Sequence, residues 1–148
     1  MPDIQHDEVP AGRGAMSAQI STGAVRLLNQ YTGRGPTKAH TVINRDSVTI
    51  ILRDLLTKGE RSLVAADRAD EVLRSRHVYQ EVMEGDLTGL VEDALGRKVI
   101  AFLSANHVEP DVAVEFFLLE SDDGQPGDGE ASVAEAGQTG DRLSRAGN

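Results

Sequence analysis

Residues 96–119 read GRKVIAFLSANHVEPDVAVEFFLL, and this stretch decides the fold. Lys98 to Asn106 and Val112 to Leu119 are two apolar runs of strand length, rich in Val, Ile, Leu and Phe. Between them lies the turn-rich NHVEPD, in which Pro110 cannot continue a ladder. The stretch therefore reads as a pair of antiparallel strands. Gly96 at its head is placed to end a preceding helix in the left-handed conformation that glycine adopts freely.

Working back from Gly96, Leu87, Leu90, Val91 and Leu95 mark a short helix, set off by Gly85-Asp86 from a longer one carrying Leu63, Val64, Val72, Leu73, Tyr79, Val82 and Met83. Thr57-Lys58-Gly59-Glu60 has the spacing of a capping box and starts that longer helix. His40 to Asn44 and Val48 to Arg53 form an earlier hairpin around Arg45-Asp46. Before it, Ile20, Ala24, Leu27, Leu28 and Tyr31 make one helical stripe over residues 17–32, with Gly33 at its end. The order α-β-β-α-α-β-β predicts an α+β domain with a four-stranded, mainly antiparallel sheet and helices packed on one face. Helix, Gly-Arg, strand, turn, strand occurs twice, from Gly33-Arg34 and from Gly96-Arg97, the pattern an internal αββ duplication would leave.

The whole chain has 148 residues, no Cys, no Trp and a formal net charge of -9. That suffices for one small domain and excludes a disulfide framework, thiolate catalysis and Cys-ligated metal centres. The acid is concentrated at the ends: residues 1–16 carry -2, residues 121–148 carry -4, and residues 17–120 only -3. Residues 121–148 are rich in Gly, Ser, Asp and Glu and nearly devoid of side chains able to bury apolar area, so residues 1–16 and 121–148 read as disordered tails on a 17–120 domain. The N-terminus lacks the basic and apolar regions of a secretory signal. No apolar run reaches the roughly 20 residues of a membrane span. The expectation is a cytoplasmic protein that is not inserted in the membrane and meets it only peripherally.

Two polar groupings invite a chemical reading. Gly33-Arg34-Gly35-Pro36-Thr37-Lys38 is not a Walker loop, because it leaves a helix for a strand and Lys38 lacks the flanking Gly and Ser or Thr. It reads either as a helix C-cap with cations favoured by the helix dipole or as an anion site built on Arg34 and Lys38. His107, Glu109 and Asp111 alternate in the NHVEPD turn and are weak candidates for a divalent metal and a metal-assisted hydrolase; Asx capping of a hairpin turn accounts for the same letters. No catalytic grouping and no cofactor are implied. Arg68, Arg74 and Arg76 are interleaved with Asp67, Asp70 and Glu71, which reads as a salt-bridged helix face rather than a nucleic-acid surface.

The last two strands are apolar on both sides, so a sheet covered on one face leaves a second apolar face. Strict alternation assigns Ile100, Phe102, Phe117 and Leu119 to it and predicts a homodimer joined there.

The first helix, GRGPTKA at 33–39, LRDLLTKGERSLV at 52–64 with its Leu56–Leu63 LT-x-x-E-x-x-L pattern, and the 96–119 stretch together resemble the MpsC family over about residues 17–120. That family is named after a Na+-translocating, membrane-potential-generating system. The resemblance implies a soluble, non-enzymatic accessory component whose partners are membrane subunits for cation transport and bicarbonate or CO2 supply. It carries over no catalytic residues. A cytosolic domain that senses a small anion is the alternative reading.

Overall fold

Alternation in SVTIILR sends Val48, Ile50 and Leu52 to one side of a strand, and a computed structural model of the chain, which describes residues 11–121, buries all three. The element order is α1 (Ala11–Thr32), β1 (Lys38–Ile43), β2 (Ser47–Arg53), α2 (Lys58–Ala65), α3 (Ala69–Leu95), β3 (Val99–His107) and β4 (Val112–Leu119). The four strands form one antiparallel sheet in the order β1-β2-β4-β3. Two hairpins thus meet along β2 and β4, and the topology is unchanged when the two αββ halves are exchanged.

One face of the sheet carries the core. Ile20, Ala24 and Leu28 of α1 and Met83, Leu87 and Val91 of α3 recur every four residues, so each helix presents one ridge to Val48, Ile50, Leu52, Ala113, Phe117 and Leu119. The helices approach closely at Gly23, where an added Cβ would come within 2.4 Å of Leu90 Cδ1. Tyr31 donates a hydrogen bond to Asp86, tying the end of α1 to the middle of α3. Gly33 (φ 78°) and Gly96 (φ 63°) end α1 and α3, their N–H groups donating to Asn29 and Glu92 carbonyls.

Three sequence expectations are corrected here. α1 takes in residues 11–16, so these residues, assigned to a disordered tail, are helical. Except for Ser121, the rest of the two proposed tails lies outside the described residues. The break between the central helices falls at residues 66–68, where Asp67 adopts φ 60°, and not at Gly85-Asp86. α3 continues through Gly85 because Met83 and Leu87 on either side are both anchored in the core, and that burial outweighs the modest helix penalty of one glycine.

The third correction concerns the sheet face. Ile100 is an extra residue in β3, since Val99 pairs with Leu119 and Ala101 with Leu118. This bulge resets the alternation, so that Val99 and Phe102 both pack against the core while Ile100 and Ala101 stay exposed. Phe117 is fully buried and Leu119 nearly so, beneath the helices. The Phe102 and Phe117 rings lie 5.1 Å apart at 46°. Of the four proposed interface residues only Ile100 is exposed, at 56%. The open face is formed instead by Val114, Phe116 and Leu118 of β4, Leu103 and Ala105 of β3, Ile51 of β2 and Val42 of β1.

Candidate functional site

The loop leaving β2 is held by several polar ties. Asp54 holds φ 59°, a left-handed conformation uncommon for a residue other than glycine. Its N–H donates to the Asp111 carbonyl at 3.1 Å, and two residues on the Leu56 N–H donates to Asp111 Oδ2 at 2.8 Å. The exit of β2 is thereby stitched to the β3–β4 turn. Arg34 Nη2 lies 2.9 Å from Asp54 Oδ2, and Arg61 Nη2 lies 2.5 Å from Oδ1. Partial desolvation pushes the Asp54 carboxyl up, but the Arg34 charge, a Thr37 hydrogen bond and the Arg61 charge outweigh it and hold the group below the usual carboxylate range.

α2 follows at once. Thr57 Oγ1 accepts from the Glu60 N–H at 3.1 Å and Glu60 Oε1 from the Thr57 N–H at 2.9 Å, the reciprocal capping box expected from the sequence. α2 buries none of its residues, so its position depends on polar ties. The main one is Arg76 of α3, 5% exposed, which grips both oxygens of Glu60 at 2.8 and 2.6 Å and donates to the Leu55 carbonyl at 2.8 Å. Desolvation raises the Glu60 pKa, and the hydrogen bonds from Arg76 and Thr57 more than reverse it.

These ties frame a cleft of about 710 Å³ between the ends of β1 and β2, α2 and the β3–β4 turn. Lys38, Arg53 and Arg61 supply cations to its lining, Glu109, Asp54 and Asp111 supply acids, and Leu56, Val64 and Val108 supply apolar wall. The volume lies within the range of small-molecule sites. The two polar groupings of the sequence therefore meet: Lys38 from the first and Glu109 and Asp111 from the second share one cleft. Arg34 stands behind it, engaged with Asp54. Sequence reasoning missed two cations, Arg53 and Arg61, and for Arg53 a signal existed. A hairpin centred on Arg45-Asp46 pairs Lys38 with Arg53, as observed.

The weak metal grouping does not converge. His107 Nδ1 lies 2.8 Å from the Pro110 carbonyl within its own turn, Asp111 is occupied by Leu56, and Glu109 sits on the cleft. Among the described residues no three His, Cys, Asp or Glu side chains are grouped closely enough to hold a metal. Of the expected salt-bridged helix face, Arg74 pairs with Glu71 as predicted, whereas Arg76 is buried and pairs with Glu60 of α2.

A second polar feature is internal. Glu115 on the core face of β4 is 2% exposed, with Ser104, its register partner on β3, and Gln80 of α3 facing it. Its Oε2 and the Ser104 hydroxyl have no hydrogen-bond partner among the described residues. Burial pushes the carboxyl up to about 7 against the opposing pull of Ser104 and Gln80.

No described helix is long and apolar enough to cross a membrane. No curated protein and no solved structure matches the chain. A family model does match, over residues 12–121, which takes in every strand and all but the first residue of the helices described above. The chain belongs to the MpsC family, described as Na+-translocating membrane potential-generating system.

Proposed function

We propose that this chain is a non-enzymatic accessory component of the membrane-potential-generating system, acting at the cytoplasmic side of the membrane as a homodimer joined through the open face of its sheet. The observation that supports this best is that face itself. Val114, Phe116 and Leu118 form a row flanked by Leu103 and Ala105 on one side and Ile51 on the other, with Leu103 64% exposed. Contiguous apolar surface of this kind marks an interaction site, and two-fold pairing of identical faces is the commonest way a small protein covers one. Asp54, Asp111 and His107 are tied into structural hydrogen bonds, which favours a binding role over a catalytic one. In this reading the dimer reaches the membrane through protein contacts with the cation- or bicarbonate-transporting subunits.

The test is affinity purification of the tagged chain from gently solubilised membranes, with mass spectrometry of what is retained. A cation-translocating membrane subunit is expected from the wild type. Recovery of the chain without any such subunit would overturn the assignment.

A further inference from the structure

Lys38 and Arg53 are directly opposed in the β1–β2 register, at the end of the ladder that opens onto the cleft. Like charges directly opposite on neighbouring strands repel and destabilise the pairing. Neither side chain has a hydrogen bond or ion pair among the described residues, although the chain as a whole carries a formal net charge of -9. The acid beside them, Asp54, is shared between Arg34 and Arg61 and is unavailable to them. Asp111 is turned to the Leu56 N–H, which leaves Glu109 as the uncommitted acid of the lining. The sheet therefore ends in two adjacent cations that no acid engages directly, with a third, Arg61, held in the same cleft by Asp54 in its left-handed conformation. Backbone strain of this type is concentrated where a fold positions side chains for a ligand.

The remaining wall narrows the ligand class. Val64 and Val108 contribute apolar surface from α2 and from the β3–β4 turn. A bare inorganic ion would leave that surface unused. We propose that the cleft binds a small organic oxyanion, a carboxylate or phosphate carried on a compact apolar body, whose head is held by Lys38 and Arg53 and whose body lies against Val64 and Val108. Arg53 supplies a planar guanidinium suited to two parallel hydrogen bonds, and Lys38 a mobile point charge beside it. Arg34, bonded to Asp54 outside the lining, acts as a positioning residue that keeps the turn in place. This site is independent of the dimer reading, since one is measured by ligand titration and the other by molecular mass.

The experiment uses the full chain and four probes: phenyl phosphate, benzoate, inorganic phosphate and acetate, titrated by calorimetry at constant ionic strength, with backbone amide shifts followed by NMR. Saturable binding is expected for phenyl phosphate or benzoate, tighter than for the matching bare ion, with shifts centred on Thr37, Asp54, Val64 and Val108. The better of the two aromatic probes identifies the head group. Lys38→Ala and Arg53→Ala should each weaken binding by about tenfold, the loss of one charge-assisted hydrogen bond. Arg26→Ala, on the exposed side of α1, should leave it unchanged. Ligand-free thermal stability should be equal or higher in the Lys38 and Arg53 variants, because the substitution relieves repulsion. A drop in ligand-free stability would assign the pair a structural role and overturn the proposal. So would the absence of saturable binding by any probe, or binding indifferent to both substitutions.

Discussion

Glu115 is a carboxyl group placed on the core face of a strand, between Ser104 and Gln80. Its ordinary value of 4.5 is raised to about 7 in the folded chain. Below about pH 4.5 both folded and unfolded chains hold this proton. Between the two values the unfolded chain releases it and the folded chain keeps it, so the stability present at low pH is lost as pH rises through 7. The linked change is about 3 kcal/mol across that window. Denaturant titrations should therefore show the wild type less stable at pH 8 than at pH 5, with Glu115→Gln removing most of the difference. Equal slopes for wild type and variant would show that Glu115 is ionised throughout. Arg76 and Glu60 predict a second contrast at this scale. Arg76→Ala strands a largely buried carboxylate and the Leu55 carbonyl, and should cost about 3 kcal/mol. Arg74→Ala, which removes an exposed pair with Glu71, should change stability by less than about 0.5 kcal/mol.

Helices α1 and α3 show how the same residue type plays opposite parts. Gly85 lies in the middle of α3 with nothing within 4 Å of an added Cβ, so Gly85→Ala should stabilise by about 0.5–1 kcal/mol through the lower entropy of the unfolded chain. Gly23 on α1 faces Leu90 so closely that Gly23→Ala must displace that side chain, and a loss of about 1–3 kcal/mol is expected. Chemical denaturation of the two variants beside the wild type checks the sign of each. The capping box at Thr57 and the two glycine caps were legible in the sequence because they depend on neighbours three or four residues away. The uninterrupted course of α3 through Gly85 was not, since it is enforced by burial of Met83 and Leu87 against strands distant in the sequence.

At the scale of the molecule, the open sheet face makes a prediction about mass. Leu103→Glu places a charge on the exposed apolar surface, beside Phe116, without touching the core, and sedimentation equilibrium should show a wild-type dimer converted to a folded monomer. Phe117→Glu buries that charge under α1 and α3 and should abolish folding, visible as loss of the far-ultraviolet helical signal. A monomeric wild type, or a Leu103→Glu variant that remains dimeric, would remove the interface. The β1-β2-β4-β3 order is symmetric in the two hairpins, and α1 and α3 each end in a left-handed glycine followed by an arginine that clasps a neighbouring segment. Arg34 holds Asp54, and Arg97 donates to the carbonyls of Arg45 and Glu120.

By itself, the sequence determined the α+β class, the element order, the glycine caps and the two antiparallel hairpins, because each follows from periodicities and turn chemistry within a few residues. It also carried the family resemblance, through motifs that run along the chain. Which side of β4 faces the helices was decided only by the tertiary structure. Val112, Val114, Phe116 and Leu118 are as apolar as Ala113, Phe117 and Leu119, and the single charge, Glu115, stands in the set that is buried. The bulge at Ile100 then shifts the phase of β3, so alternation counted along the chain assigns Phe102 to the wrong face. The cleft was beyond the sequence for the same reason. Lys38, Arg61 and Glu109 lie on a strand, a helix and a turn, and only packing of these three elements at one end of the sheet brings their charges together.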